Sequence, residues 1–160
     1  MKNLLGLVFI CLSLVGTNAY AQRSSEPIIN YENISVITES GKPTTDANIK
    51  AAITRAAENL NWKISDAGAG KLLGTLVVNG KHTVTVTIPY SQSAFSILYK
   101  DSINMKYNPS MEAPDFPGMY RPATPISTKT WSGTKPVIHP FYNVWTQNLL
   151  ERIKHEIKNQ

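Results

Sequence analysis

Residues 70–100, GKLLGTLVVNGKHTVTVTIPYSQSAFSILYK, decide the fold of this chain. Apolar side chains occupy alternate positions along this stretch, which predicts β-strands with one buried face. The dipeptide Asn79-Gly80 separates the first two apolar runs, and it is the strongest short-range signal of a β-hairpin. Residues 91–94 form a second predicted turn. The stretch therefore predicts three consecutive antiparallel strands.

The register of the first hairpin follows from the burial of apolar residues. A two-residue loop would put the two apolar sets on opposite faces of the sheet. A three-residue loop over residues 78–80, with Gly80 in a left-handed bulge, aligns them on one face, so burial favours it. We expect this loop to pair Leu76 with His82 and Leu72 with Val86.

The second turn extends the same apolar face to the third strand. A four-residue loop over residues 91–94 keeps the apolar parity of the two strands in step. The expected pairs are Tyr90–Phe95, Ile88–Ile97 and Val86–Tyr99. We expect one shared buried side to contain Leu76, Val84, Ile88 and Ile97.

Two amphipathic helices are predicted to cover that face. Thr44 or Thr45 caps the first helix, and Asp46 complements the helix dipole. The apolar stripe of this helix recurs every three or four positions; it comprises Ile49, Ala52, Ile53, Ala56, Ala57 and Leu60. The second helix starts near Pro140, a residue suited to the first helical position. Its apolar side comprises Phe141, Tyr142, Trp145, Leu149, Ile153 and Ile157.

These elements predict an α+β fold, with a three- to four-stranded antiparallel meander packed against two helices. Short strands are also predicted around Trp62 and over residues 31–38. Residues 108–136 interrupt the pattern with six prolines. Such a long irregular stretch is either functional or disordered, and its prolines argue against a helix or a central strand. We treat it as an insert in a single domain over residues 22–160.

The amino-terminal 21 residues have the features of a signal peptide. Lys2 precedes an uncharged apolar run, and Ala19 and Ala21 occupy the small-residue positions of a cleavage site. The run is too short to span a bilayer. Cys11, the only cysteine, follows bulky residues rather than the small residues of a lipidation site. We therefore expect export to the periplasm of a Gram-negative bacterium, or secretion as the alternative, with no transmembrane segment.

Composition excludes several classes of function. The chain has a net charge of +5, but its charges are dispersed, which does not favour a nucleic-acid partner. His82, His139 and His155 are the only histidines, and none lies in a recognised metal-binding spacing. No glycine-rich phosphate loop opens a helix. We expect no cofactor and no metal.

A polar-aromatic cluster remains as the candidate site. One group follows the third core strand and the other opens the last helix, so the two groups meet if that helix packs on the sheet. These side chains suit contact with an envelope protein, a glycan or a lipid, and they equally suit an internal network that holds the helix to the sheet. The cluster comprises Tyr99, Asp101, Ser102, Asn104, Tyr107, His139, Tyr142, Asn143 and Trp145.

Four segments carry a family resemblance: GKLLGTL, KHTVTVTIPY, FSILYKDSINMKY and IHPFYNVWTQNL. With them the chain resembles a group of small, uncharacterised bacterial periplasmic proteins and lipoproteins. The most specific pieces are H-x-x-Y-N-x-W from His139 and Y-x-D-S-x-N from Tyr99. The resemblance implies a periplasmic setting and a compact α+β domain, and it implies no activity. The chain departs from the group in lacking a lipidated cysteine and in carrying the insert.

We expect a non-catalytic periplasmic binding or accessory protein of the bacterial envelope. The alternative is a small periplasmic hydrolase that uses Asp101, Ser102 or His139. A hydrolase needs a nucleophile beside a base, and nothing resembling a nucleophile elbow surrounds Ser102.

Overall fold

The computed structural model describes residues 25–39, 44–112 and 134–160, so the predicted signal peptide lies outside the described residues. These residues form two helices and two antiparallel sheets, which confirms the α+β class. In chain order the elements are β1 (Glu26–Pro27), β2 (Tyr31–Ser35), α1 (Asp46–Glu58), β3 (Trp62–Asp66), β4 (Lys71–Val78), β5 (His82–Pro89), β6 (Ala94–Ile103), β7 (Asn108–Glu112), β8 (Thr134–Ile138) and α2 (Phe141–Lys158).

The larger sheet has five strands in the order β2-β6-β5-β4-β3. Its four sequential strands, β3 to β6, are the predicted meander. Strand β2 adds a fifth member by pairing antiparallel with β6. This strand ends at Ser35, earlier than predicted, and the structure continues to residue 39 without further sheet pairing.

The β4–β5 hairpin has the predicted three-residue loop, but the loop starts one residue later. Asn79 and Gly80 have φ values of 53° and 64°, the left-handed backbone that asparagine and glycine tolerate best. The Lys81 amide donates to the Val78 carbonyl at 3.1 Å and closes the turn. The loop therefore comprises residues 79–81.

This loop position corrects the predicted register of the hairpin. Leu76 faces Val84, and Leu72 faces Ile88, so the pairs predicted with His82 and Val86 are wrong by two residues. A shift of two leaves every side chain on its predicted face, because side chains alternate with a period of two. The apolar sets therefore still coincide.

The β5–β6 pairing agrees with the prediction near the turn. Tyr90 faces Phe95, and Val86 faces Tyr99. The ladder shifts between Thr85 and Val86, as in a β-bulge. Beyond this shift the end of β6 carries the first group of the candidate site.

One core joins the meander to both helices. The four residues that were predicted to share a buried side are all buried, and they form one cluster with the apolar stripes of the helices. In α1, the Thr45 hydroxyl accepts a hydrogen bond from the Asn48 amide at 3.2 Å. In α2, Pro140 lies just before the first helical residue instead of at it. Phe141 also differs from the prediction, because its side chain is largely exposed.

A second sheet, with the order β1-β8-β7, was not predicted. Its central strand β8 contains Pro136, contrary to the expectation that the prolines of residues 108–136 avoid central strands. The β7–β8 ladder is irregular between Asn108 and Met111, opposite Pro136. On the β1 side, the Pro136 carbonyl accepts from the Ile28 amide at 3.0 Å. Because the N–H and C=O of one strand residue point to the same side, the N–H that proline lacks would also face Ile28, just past the end of β1 at Pro27. Residues 113–133 of the predicted insert lie outside the described residues.

Within the described ranges, neither helix is long and apolar enough to cross a membrane.

Candidate functional site

Three tyrosines connect the end of the meander to the start of α2. The Tyr99 ring stacks on Tyr107 with centroids 4.9 Å apart, and it meets Tyr142 edge-on at 5.6 Å. Tyr142 is fully buried, whereas Tyr107 is exposed. The structure thus brings together residues from both groups of the predicted cluster, and the rings run from the core to the surface.

Polar neighbours fix the Tyr99 ring. Its hydroxyl lies 3.0 Å from the Ser102 hydroxyl. The Asp101 carboxylate accepts from the Ser102 amide at 2.8 Å. Burial raises the pKa of the Tyr99 phenol, and the hydrogen bond to Ser102 opposes this rise. A neutral phenol is no general base at neutral pH, so this contact does not activate the Ser102 hydroxyl.

Asn104 has a structural role next to the hairpin loop. Its side-chain amide donates to the Lys81 backbone carbonyl at 2.7 Å. The backbone carbonyl of Asn104 accepts from His82 Nδ1 at 3.0 Å. A positive φ of 58° turns the chain here. Asn104 therefore ties the end of β6 to the β4–β5 loop.

A second run of rings starts at His139. This ring lies 4.9 Å from Phe141, which in turn lies 5.8 Å from Trp145. The His139 backbone amide donates to the Met105 carbonyl at 2.8 Å, and its Nδ1 atom accepts from the Phe141 amide at 3.2 Å. Histidine thus supplies the side-chain acceptor that Pro140 lacks at the start of α2.

Asn143 holds the amino-terminal segment of the described chain. Its Oδ1 atom accepts from the Ile29 amide at 3.1 Å, and its Nδ2 atom donates to the Pro27 carbonyl at 2.9 Å. The side chain is only 8% exposed. It also borders a cavity of about 490 Å³ whose other walls are residues 26–30 and Glu32. Asn143 is the one predicted site residue that lines this cavity.

Tyr142 carries an unusual hydroxyl. Its Oη atom is buried and finds no hydrogen-bond partner among the described residues. Burial strongly raises the pKa of this phenol, and the nearby Tyr99 and Tyr31 raise it further. The hydroxyl therefore stays neutral inside the core.

A second cavity, of about 470 Å³, lies where α2 ends. It is bordered by the segment that follows β2, by Phe95 and by the last turns of α2. The sequence prediction missed this cavity. A signal was present, because Val36 and Ile37 are adjacent apolar residues that break the alternation of a strand, so one of the two must face away from the core.

In the ranges that the structure describes, no group of three or more histidine, cysteine, aspartate or glutamate side chains is placed to hold a metal ion. Comparisons with protein-family models, with curated proteins and with solved structures give no match. Only the geometry of the described residues therefore bears on the function of this chain.

Proposed function

We propose that this protein is exported and acts in the bacterial envelope as a non-catalytic binding protein whose partner is another envelope protein. The binding region is the solvent-facing side of the first turns of α2, formed by Phe141, Val144 and Trp145. We call these three residues the aromatic surface. Glycan or lipid partners remain the alternatives that the experiment below distinguishes.

The observation that carries the proposal is the lack of charge on this part of α2. The ten residues 141–150 contain no Lys, Arg, Asp or Glu. Phe141 and Val144 are 43% and 50% exposed, and residues three apart lie on the same side of a helix. Depletion of charge together with exposed aromatic residues is the compositional mark of a protein interface core.

Rigid support behind the surface strengthens the proposal. Trp145 contacts Phe141 and packs against the core cluster. The neighbouring Tyr142, which is also in α2, packs edge-on against the Tyr99 ring of the sheet. A surface that is held in place before binding loses little conformational entropy when a partner docks.

The hydrolase alternative has less support. The Ser102 hydroxyl is hydrogen-bonded to the Tyr99 phenol, and the Asp101 carboxylate accepts from the backbone amide of Ser102. Neither arrangement pairs a nucleophile with a base. We therefore favour binding over catalysis.

Site-specific photocrosslinking in the native host tests the aromatic surface. A benzoylphenylalanine at position 144 is expected to capture a discrete envelope protein. The matched control carries the same residue at position 77, because Val77 is 52% exposed on the sheet. Adding Phe141→Ala to the position-144 variant should reduce capture at least about tenfold, as expected for an interface hot spot. Identical products from both positions, or none that depends on Phe141, would contradict the proposal.

Two further readouts cover the alternatives and the export step. Products that are sensitive to lysozyme or to lipid extraction, instead of to protease, would indicate a glycan or lipid partner and overturn the protein assignment. Export is tested by mass spectrometry of the periplasmic fraction. The mature chain is expected to begin at Gln22, and a full-length mass in the cytoplasm would contradict it.

A further inference from the structure

We propose that the cavity at the carboxyl end of α2 binds a single-chain lipid carboxylate, with the alkyl chain inside and the carboxylate at a lysine-bearing rim. This site is distinct from the aromatic surface, which lies at the amino-terminal end of the same helix. The inference does not rest on the proposed function.

The cavity has the size and the walls of a ligand site. Its volume is about 470 Å³, within the range of roughly 300–1,000 Å³ that is usual for small-molecule pockets. Phe95 and Ile157 are almost fully buried and border it from the sheet and from the helix. Pockets for apolar ligands are lined in this way, with few polar groups.

Ile37 indicates that the natural occupant is apolar. It borders the cavity, yet 73% of its surface is exposed, more than for any other large hydrophobic residue in the described ranges. An alkyl chain that entered the cavity would cover this side chain. Removal of apolar surface from water would then contribute to binding.

The rim supplies the positive charge. Lys154 and Lys158 border the cavity four residues apart on α2, and Glu39 opposes them with one negative charge. Lys154 also pairs with Glu151 at 3.1 Å, an exposed pair of the kind that contributes little and exchanges readily. Lys158 makes no ion pair within the described ranges. A lysine stem lies along apolar surface and keeps its ammonium in water, so an amphipathic anion fits both parts of the site.

The chemistry of the walls separates this ligand from its alternatives. A small hydrophilic anion would not use the apolar interior. An alcohol or a quaternary amine with the same alkyl chain would not use the ammonium groups. A carboxylate with one chain uses both.

Isothermal titration calorimetry of the chain over residues 22–160 tests the proposal with three matched probes, each at a concentration where it is dissolved as a monomer. Dodecanoate is expected to bind one molecule per chain. Dodecanol should bind about tenfold more weakly, and dodecyltrimethylammonium more weakly still. Equal affinities for the three probes, or no binding of dodecanoate, would overturn the proposal.

Variants assign the binding to this cavity. Replacing both Lys154 and Lys158 by Gln should weaken dodecanoate binding about fivefold to tenfold, as expected for two exposed charge pairs, and leave dodecanol unaffected. Ile37→Asn changes an exposed side chain and should weaken both probes. Lys63→Gln on β3 is the control and should change neither. Dodecanoate binding that ignores the double variant would refute the site.

A second copy of the chain is the remaining occupant to exclude. Sedimentation velocity should show the same monomer mass for the parent chain and for Ile37→Asn. A parent dimer that Ile37→Asn dissociates would show that the cavity faces another copy, and this result would overturn the lipid assignment.

Discussion

The two halves of α2 bury the same apolar stripe and present opposite surfaces to solvent. Residues 141–150 contain no charged side chain, whereas residues 151–158 contain five. Both halves contribute to the one core. Folding needs only the buried stripe, so the demands of the core do not explain the difference. This difference is the observation on which the proposed partner surface of the first half depends.

The contacts of the two halves agree with this division. In the second half, Arg152 and Glu156 pair at 2.9 Å, and Glu156 also reaches Arg55 of α1 at 3.2 Å. Such pairs are typical of a solvated helix surface and contribute about 0.5 kcal/mol each. In the first half, the polar contacts are turned inward: Asn143 holds residues 27 and 29, and the buried Thr146 hydroxyl donates to the Tyr142 carbonyl at 3.0 Å.

The largest expected effect is on the free energy of unfolding, when a buried residue of α2 is replaced instead of an exposed one. Ile153→Ala in the second half removes a fully buried side chain, and it should lower the free energy of unfolding by about 2–5 kcal/mol. Phe141→Ala in the first half removes an exposed ring and should lower it by less than about 1 kcal/mol. Urea denaturation of both variants measures the difference.

Ile153→Val is the matched control for the core variant, with an expected loss of about 0.5–1.5 kcal/mol. If Phe141→Ala were as destabilising as Ile153→Ala, the exposed ring would serve the fold. The assignment of the aromatic surface to a partner would then lose its main support.

The sequence predicted what local pattern encodes. Alternation in β4 to β6 identified the strands, and the three- to four-residue spacing identified both helices, because each pattern shows within one element. The hairpin register was wrong by two residues, since the Leu72 and Leu76 pairs of either register bury the same face. A period-2 argument cannot separate them.

Long-range assembly was beyond local pattern. Glu26 pairs with Ile138 in the second sheet, and no short window of sequence contains both residues. Pro136 argued against the strand that contains it, because the sequence does not show that its missing N–H faces Ile28, just past the end of β1. The contact of Tyr99 with Tyr142 followed from packing α2 on the meander. Both cavities, by contrast, depend on the path of residues 26–39 across α2, which no local pattern predicts.

The next prediction concerns Asn143, which holds the segment that contains β1 of the second sheet. Asn143→Ala leaves the Ile29 amide and the Pro27 carbonyl without their partner. Because unsatisfied groups at a partly buried site cost about 1–3 kcal/mol, the free energy of unfolding should fall by that amount. Hydrogen exchange should show faster exchange of the Ile29 amide, while the Val84 amide in the main sheet stays protected.

Asn143→Asp is the sharper variant. Its carboxylate still accepts from the Ile29 amide but cannot donate to the Pro27 carbonyl, so protection of Ile29 should be largely retained. Equal loss of protection at Ile29 and Val84 in Asn143→Ala would show that the two sheets unfold as one unit and that Asn143 serves the whole core.

The smallest expected effect concerns the hydroxyl of Tyr142. Tyr142→Phe removes a buried oxygen that has no partner among the described residues, so it should raise the free energy of unfolding by about 1 kcal/mol at neutral pH. Tyr107→Phe, at an exposed ring, is the control and should change nothing. A loss of stability in Tyr142→Phe would show that the hydroxyl is hydrogen-bonded after all.

The gain in the free energy of unfolding of Tyr142→Phe should increase as the pH rises above 10. Burial raises the pKa of Tyr142 above its value of about 10 in the unfolded chain. Above pH 10 the unfolded state therefore releases a proton that the folded state retains, and the parent chain loses about 1 kcal/mol between pH 10 and 11 through this group. Tyr142→Phe lacks this loss, so its advantage over the parent should widen between pH 10 and 11. An advantage that stays constant over this range would mean that the phenol is not buried in solution, and the first half of α2 would then be more open than the comparison of the two halves requires.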